Sequence, residues 1–193
     1  MSEQARPCVF IDRDGTLNVE KHYLHRYEDW EWIPGSVEKL RELREAGFLT
    51  IVVTNQAGVG RGYYDEAAIK RLHALVDEEL LAAGSGIDAY YYCPHHPEYG
   101  NVRDCDCRKP APGMLMSAQR QWNVALKDSW MVGDKLSDIR AGLAAGVRCI
   151  LVRTGYGQLE QDGCPPGVLL ADDFAEAASL ILRDAGASSL TDY

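Results

Sequence analysis

Asp12 and Asp14 stand one residue apart in Asp12-Arg13-Asp14-Gly15-Thr16, directly after the apolar run Cys8-Val9-Phe10-Ile11. Two carboxylates held this close repel one another unless a cation or a shared proton relieves them. Gly15 lets the chain turn sharply and bring its backbone near a ligand. The chemistry that suits the pair is nucleophilic attack by one acid, proton transfer by the other, and a divalent cation between them. An Asp-Gly turn closing a buried strand is the plain alternative for these five residues alone.

Two later apolar runs end the same way. Leu49-Thr50-Ile51-Val52-Val53 leads into Thr54-Asn55-Gln56, and Trp130-Met131-Val132 into Gly133-Asp134-Lys135, with Asp138 further on. Each ending taken singly is a turn or a helix cap. Together they put a hydroxyl, an amide, several carboxylates and lysine at the carboxyl edge of a sheet. That edge is where open α/β sheets bind ligands, and the residue set suits a phosphate with a divalent metal.

Cys93-Pro94-His95 and Cys105-Asp106-Cys107 form two short clips. Three thiolates and an imidazole match a closed, structural zinc site. His96 competes with His95 for the fourth position, and His95 is favoured because Cys-x-His mirrors the spacing of Cys-x-Cys. Free thiols in a loop and a redox pair are the alternatives. Arg108 and Lys109 follow Cys107 at once, so a metal-fixed loop would aim both cations. Cys8, Cys149 and Cys164 read as unpaired.

The elements that must position these groups alternate along the chain. Strands are expected at Cys8–Ile11, Leu49–Val53, Ala89–Tyr92, Ser129–Val132 and Arg148–Val152, with a weak sixth near Val168–Leu170. Helices are expected from Ser36 to Gly47, after the N-cap Asp65 (with Ile69, Leu72, Val76 and Leu80 at helical spacing), over Gly113–Trp122, from Ser137 to Gly146, and over Phe174–Ala185. The tail Ser188–Tyr193 is expected to fray. The pattern gives a doubly wound parallel α/β sheet in a single domain over residues 1–193. Its 193 residues, 46% of them hydrophobic and 25% charged, are ordinary for a soluble domain. A net charge of −9 argues against nucleic-acid binding. With no apolar run long enough for a span or a signal peptide, the expectation is a cytoplasmic monomer without a membrane partner. Six cysteines then point to metal or free thiols rather than disulfides.

On these motifs the chain resembles the haloacid dehalogenase superfamily of aspartyl-phosphate phosphatases. The matching pieces are Asp12-Arg13-Asp14-Gly15-Thr16, Thr54-Asn55, the lysine of Arg108-Lys109-Pro110, and Gly133-Asp134-Lys135-Leu136-Ser137-Asp138. The resemblance implies that Asp12 is the nucleophile and Asp14 the general acid and base. It implies Mg²⁺ on Asp12, the Asp14 carbonyl and Asp134, with Thr54 and Lys109 holding the phosphoryl group. The intervals between motifs leave no room for a separate cap domain. Thr54 to Gly62, Cys93-Pro94-His95-His96-Pro97 and Cys105 to Pro110 are similar to one branch, the heptose-bisphosphate phosphatases, with histidinol-phosphate phosphatases as near neighbours. That branch implies a small phosphorylated substrate met by Glu20, Lys21, His22, Tyr23, Thr54, Asn55, Gln56, Ala57, Arg108, Lys109 and Lys135. It also implies a place in nucleotide-activated heptose and lipopolysaccharide synthesis. Apart from the resemblance, Arg61 in its Gly-rich loop is a candidate for a distal phosphate, or a solvated arginine. Hydrolysis of histidinol phosphate is the alternative activity, and a zinc-stabilised binding module is the non-enzyme alternative.

Overall fold

The computed structural model describes residues 4–188. Six parallel strands form one sheet in the order β3-β2-β1-β4-β5-β6. They are β1 (Cys8–Ile11), β2 (Leu49–Asn55), β3 (Ala89–Cys93), β4 (Trp130–Gly133), β5 (Arg148–Val152) and β6 (Leu169–Ala171). The helices are α1 (Ser36–Glu45), α2 (Ala57–Gly60), α3 (Glu66–Ala82), α4 (Gly113–Trp122), α5 (Leu136–Ala145), α6 (Gly157–Glu160) and α7 (Phe174–Ser188).

Strand side chains alternate between two cores, as a period of two requires. Val9, Ile11 and Val52 meet α1, α3 and α7 through Leu40, Leu72, Val76 and Ile181. Cys8, Phe10, Ile51 and Val53 face α4 and α5 through Leu115 and Ile139. Both faces are covered, which is why the strands read as continuous apolar runs. The strand order reverses between β1 and β4, whose register pairs Ile11 with Val132. A ligand crevice belongs at that switch, and it is where Asp12 and Asp134 emerge.

The expected elements are present with shifted ends. β2 runs on through Thr54 and Asn55 because they pair with Tyr92 and Cys93 of β3. β4 starts at Trp130, because the Ser129 hydroxyl accepts from Cys8 N at 2.9 Å and donates to Ala125 O at 2.7 Å. The one-turn helices α2 and α6 are additions. Beyond its first residue, the tail expected over 188–193 lies outside the described residues. Between β1 and β2 stand only a 3-10 turn (Tyr27–Asp29) and α1, and no cap domain is inserted among the described residues. None of their helices is long and apolar enough to cross a membrane.

Leu72 is buried from α3 against the sheet at 1% exposure. Leu72→Ala is expected to lower unfolding stability by about 2–5 kcal/mol, read from urea denaturation.

Candidate active site

Asp12 leaves β1 with its N–H still bonded to Val132 O at 2.9 Å, and the Arg13 amide donates to Asp12 Oδ1 at 2.8 Å. The chain then reverses around Gly15, whose φ is +86°. A Cβ there would lie 2.4 Å from Asp134 Oδ2, so glycine is required on both counts. The Asp14 carboxylate takes Arg13 Nη2 at 2.9 and 2.8 Å, Asn18 Nδ2 at 3.1 Å and Gln56 Nε2 at 3.1 Å. Burial alone would raise its pKa, but the Arg13 guanidinium, Asn18 and Gln56 outweigh that and hold it below the usual carboxylate range.

From β2, Thr54 Oγ1 accepts Gln56 Nε2 at 3.0 Å. Asn55 and Lys109 exchange two 3.1 Å bonds, Nδ2 to the Lys109 carbonyl and the Lys109 amide to Oδ1. This peptide-like clamp aims Lys109 beneath the strand ends. Its Nζ donates to Val53 O at 2.7 Å and pairs with Asp12 Oδ1 at 2.8 Å and Asp138 Oδ1 at 2.6 Å. Burial works against its charge, yet Asp12 and Asp138 raise its pKa above the ordinary lysine value.

At the end of β4, one oxygen of each of Asp12, Asp134 and Asp138 lies within 4.8 Å of the others. Burial first, and the Asp12 charge second, push Asp134 and Asp138 well above the usual carboxylate range. Asp134 Oδ2 accepts from Tyr156 N at 2.8 Å, while Oδ1 is buried with no partner. An orphaned buried oxygen in a crowded carboxylate group fits a divalent cation, which would relieve both.

A cavity of about 370 Å³ opens above these groups. Asp12, Asp14, Thr54, Asn55 and Lys109 line its depth, and Glu20, His22, Tyr23, Gln56, Ala57, Arg108 and Lys135 its sides. His22 and Tyr23 sit at φ +48° and +57°, a left-handed pair rare for non-glycine residues. Lys135 Nζ lies 3.4 Å from Glu20 Oε2 and 4.4 Å from the Tyr156 ring centroid. Lys21 instead pairs with Glu31 at 2.8 Å. Arg61 lies over the Tyr99 ring at 4.4 Å with Nη2 3.0 Å from His96 Nε2. Neither Lys21 nor Arg61 lines the cavity.

Cys93, His95, Cys105 and Cys107 converge in the loop after β3. Their sulfurs stand 3.2, 3.4 and 3.7 Å apart, and Cys107 Sγ is 3.4 Å from His95 Nδ1. These separations exclude disulfides and approach the edge of about 3.8 Å that Zn–S bonds of about 2.3 Å give a tetrahedron. The donor set therefore fits zinc. His96 is engaged elsewhere, its Nδ1 accepting from Glu98 N at 3.0 Å. Arg108 Nη1 donates to the His95 carbonyl at 3.0 Å, tying a cavity-lining cation to the cluster.

Ser137, Asp138, Tyr64 and Tyr156 also line the cavity; sequence reasoning had Asp138 among the edge carboxylates and Ser137 only as a motif neighbour, and it missed both tyrosines. Tyr156 had a signal. Thr154-Gly155-Tyr156-Gly157 follows β5 as the other motifs follow their strands, and Thr154 Oγ1 donates to Gly15 O at 2.7 Å. Tyr64 had none.

The HAD-hydrolase-like family matches residues 106–177. The D-glycero-beta-D-manno-heptose-1,7-bisphosphate 7-phosphatase of Escherichia coli K12 is 46% identical over 154 residues, covering 77% of this chain and 80% of the relative. The chain belongs to the heptose-bisphosphate phosphatase family of HAD-like hydrolases. The relative of the same name from Pasteurella multocida is 40% identical over 179 residues, spanning 91% of this chain and 97% of that relative. Among solved structures, the D,D-heptose 1,7-bisphosphate phosphatase of B. bronchiseptica, complexed with magnesium and phosphate, superposes with a TM-score of 0.84. It is 34% identical and covers 92% of this chain and 99% of that one. As a member of this family the protein is a phosphoric monoester hydrolase, and the cavity at the β1/β4 switch is its candidate site.

The crowding at Asp134 has a pH signature. Its pKa is raised above an unfolded value near 4. Between the two values the folded chain holds the extra proton, so stability falls as pH rises through that window. In EDTA, Asp134→Asn is expected to lessen that fall. The variant should melt higher than wild type near pH 7, converge with it near pH 4, and lose the Tm gain from added Mg²⁺. Thermal scans across pH check this.

Proposed function

We propose that the protein removes the 7-phosphate of D-glycero-β-D-manno-heptose 1,7-bisphosphate through an aspartyl-phosphate on Asp12, within nucleotide-activated heptose synthesis. The observation that carries this reading is the placing of two kinds of cation on one cavity. Lys109 lies buried beside Asp12, while Arg108 and Lys135 stand at the sides. Such an arrangement suits an ester with a reacting phosphate and a second one. A guanidinium fixed by the His95 carbonyl is suited to bidentate contact with that second phosphate. The β-anomer is supported by the names of the two relatives.

The Arg13 amide and Lys109 Nζ both bond Oδ1 of Asp12, which fixes the carboxylate plane and leaves Oδ2 to attack phosphorus. The P–O bond to the sugar breaks, its electron pair leaves with the alkoxide oxygen, and Asp14 supplies the proton. Arg13 keeps Asp14 ionised in the free enzyme, and a phosphoryl dianion set against it raises its proton affinity for this step. Asp14, now a carboxylate, takes a proton from the water that opens the aspartyl-phosphate. Thr54 and Lys109 hold the transferring oxygens. All three Lys109 donors are occupied at rest, so one is exchanged for phosphate. Mg²⁺ on Asp12, Asp134 and the Asp14 carbonyl would supply further positive charge against the phosphoryl oxygens. Zn²⁺ on Cys93, His95, Cys105 and Cys107 would be structural, with four protein ligands and no open position. We further propose a cytoplasmic, single-domain monomer.

The test is kcat/KM with Mg²⁺ for both heptose bisphosphate anomers and for histidinol phosphate. The β-anomer should be preferred by roughly a hundredfold, whereas comparable turnover of histidinol phosphate would move the protein to that substrate. Asp14→Asn should still fold, at lower stability because the buried Arg13 loses its counter-charge, and lose ~10²–10⁴-fold in turnover. Stripping zinc with a chelator should raise KM and expose residues 93–110 to hydrogen exchange. Unchanged KM and exchange in zinc-free protein would remove the positional role of the loop.

A further inference from the structure

Arg13 lies between the two acids, yet it does not line the cavity, and its side chain is fully buried. A guanidinium out of water is costly unless its donors are paired. Here Nε and Nη2 both reach Asp14 Oδ1, at 3.1 and 2.9 Å, and Nη2 reaches Oδ2 at 2.8 Å. Nη2 also donates to the Leu24 carbonyl at 2.8 Å, and Nη1 lies 3.4 Å from His73 Nε2. Arginine has no acceptor, so that histidine nitrogen accepts and His73 is neutral. His73 comes from α3 and stacks on Tyr90 of β3, with ring centroids 4.1 Å apart. The Tyr90 hydroxyl in turn donates to Asp77 at 2.7 Å.

We infer that Arg13 is a positioning residue for proton transfer. Its fork fixes the plane of the Asp14 carboxylate relative to Asp12. Its bond to Leu24 O ties the loop bearing Glu20, His22 and Tyr23 to that same carboxylate. The packed pair His73–Tyr90 sets the guanidinium from behind. Burial excludes direct contact between Arg13 and substrate, and filling a core would not require two-point pairing with the acid that moves the proton. The inference rests on the acid–base role proposed for Asp14.

Arg13→Lys tests it, since lysine keeps the charge and loses the planar fork. The readout is kcat/KM for two esters, a sugar phosphate and p-nitrophenyl phosphate. The alkoxide leaving from the sugar needs a proton, whereas the nitrophenolate does not. The expected result is a loss of ~10²-fold on the sugar phosphate, carried mainly by kcat, against less than about fivefold on the aryl ester. Equal losses on both would overturn the inference. If Arg13→Lys fails to fold by circular dichroism, His73→Phe is read by the same ratio. It removes the acceptor while keeping a ring against Tyr90. A ratio moved in the same direction supports the inference, and an unchanged ratio overturns it. Wild-type protein inactive on both esters would overturn the phosphatase reading and this inference with it, an outcome distinct from equal losses in an active enzyme.

Discussion

The repulsion among Asp12, Asp134 and Asp138 is the constraint around which the rest is arranged. Three carboxylates within 4.8 Å would drive one another to protonation or drive the strand ends apart. A buried lysine bonded to two of them keeps the group together. Lys109 cannot come from β1 or β4 themselves, because their ends are occupied by the acids. It arrives from the loop after β3, and Asn55 holds its backbone like a neighbouring strand. The parallel sheet, the strand reversal between β1 and β4, and the glycine at 15 that clears space for Asp134 all serve that convergence.

The loop after β3 has little apolar matter of its own. Residues 94–110 contain charge, proline and histidine, and only Cys93, His96 and Lys109 within or flanking them are buried. A four-ligand cluster can order such a segment without a hydrophobic core, since ligand bonds replace the burial that the composition cannot supply. Gly60 adds a contact that any side chain would spoil, its missing Cβ lying 2.9 Å from His96 N. The cluster and the α2 turn thus bracket the side of the cavity that Arg108 occupies.

Much of this was legible in the sequence, because the strands are buried on both faces and their polar endings stand out against them. Element ends were less legible. Thr54 and Asn55 look like turn residues, and only the pairing with Tyr92 and Cys93 makes them strand. Four-residue helices such as α2 and α6 carry no periodicity to detect. Single cations were hardest. Arg61 has the chemistry to reach a phosphate, but Tyr99 and His96 offer it closer partners. Lys21 likewise turns to Glu31. Arg13 reads as a spacer between two acids, and its role rests on His73 and Leu24, which no local pattern connects to it.

The Asn55–Lys109 clamp joins positions 54 residues apart, and Asp134 comes later still. Emerging from the ribosome, the chain exposes Asp12 first and Lys109 and Asp134 long afterwards. A nascent chain therefore carries Asp12 before the lysine and carboxylates that surround it in the folded protein. The surroundings of Asp12 are complete only where β4 lies beside β1. A chain that ends before β4 has the Asp12–Asp14 pair but neither Asp134 nor Asp138.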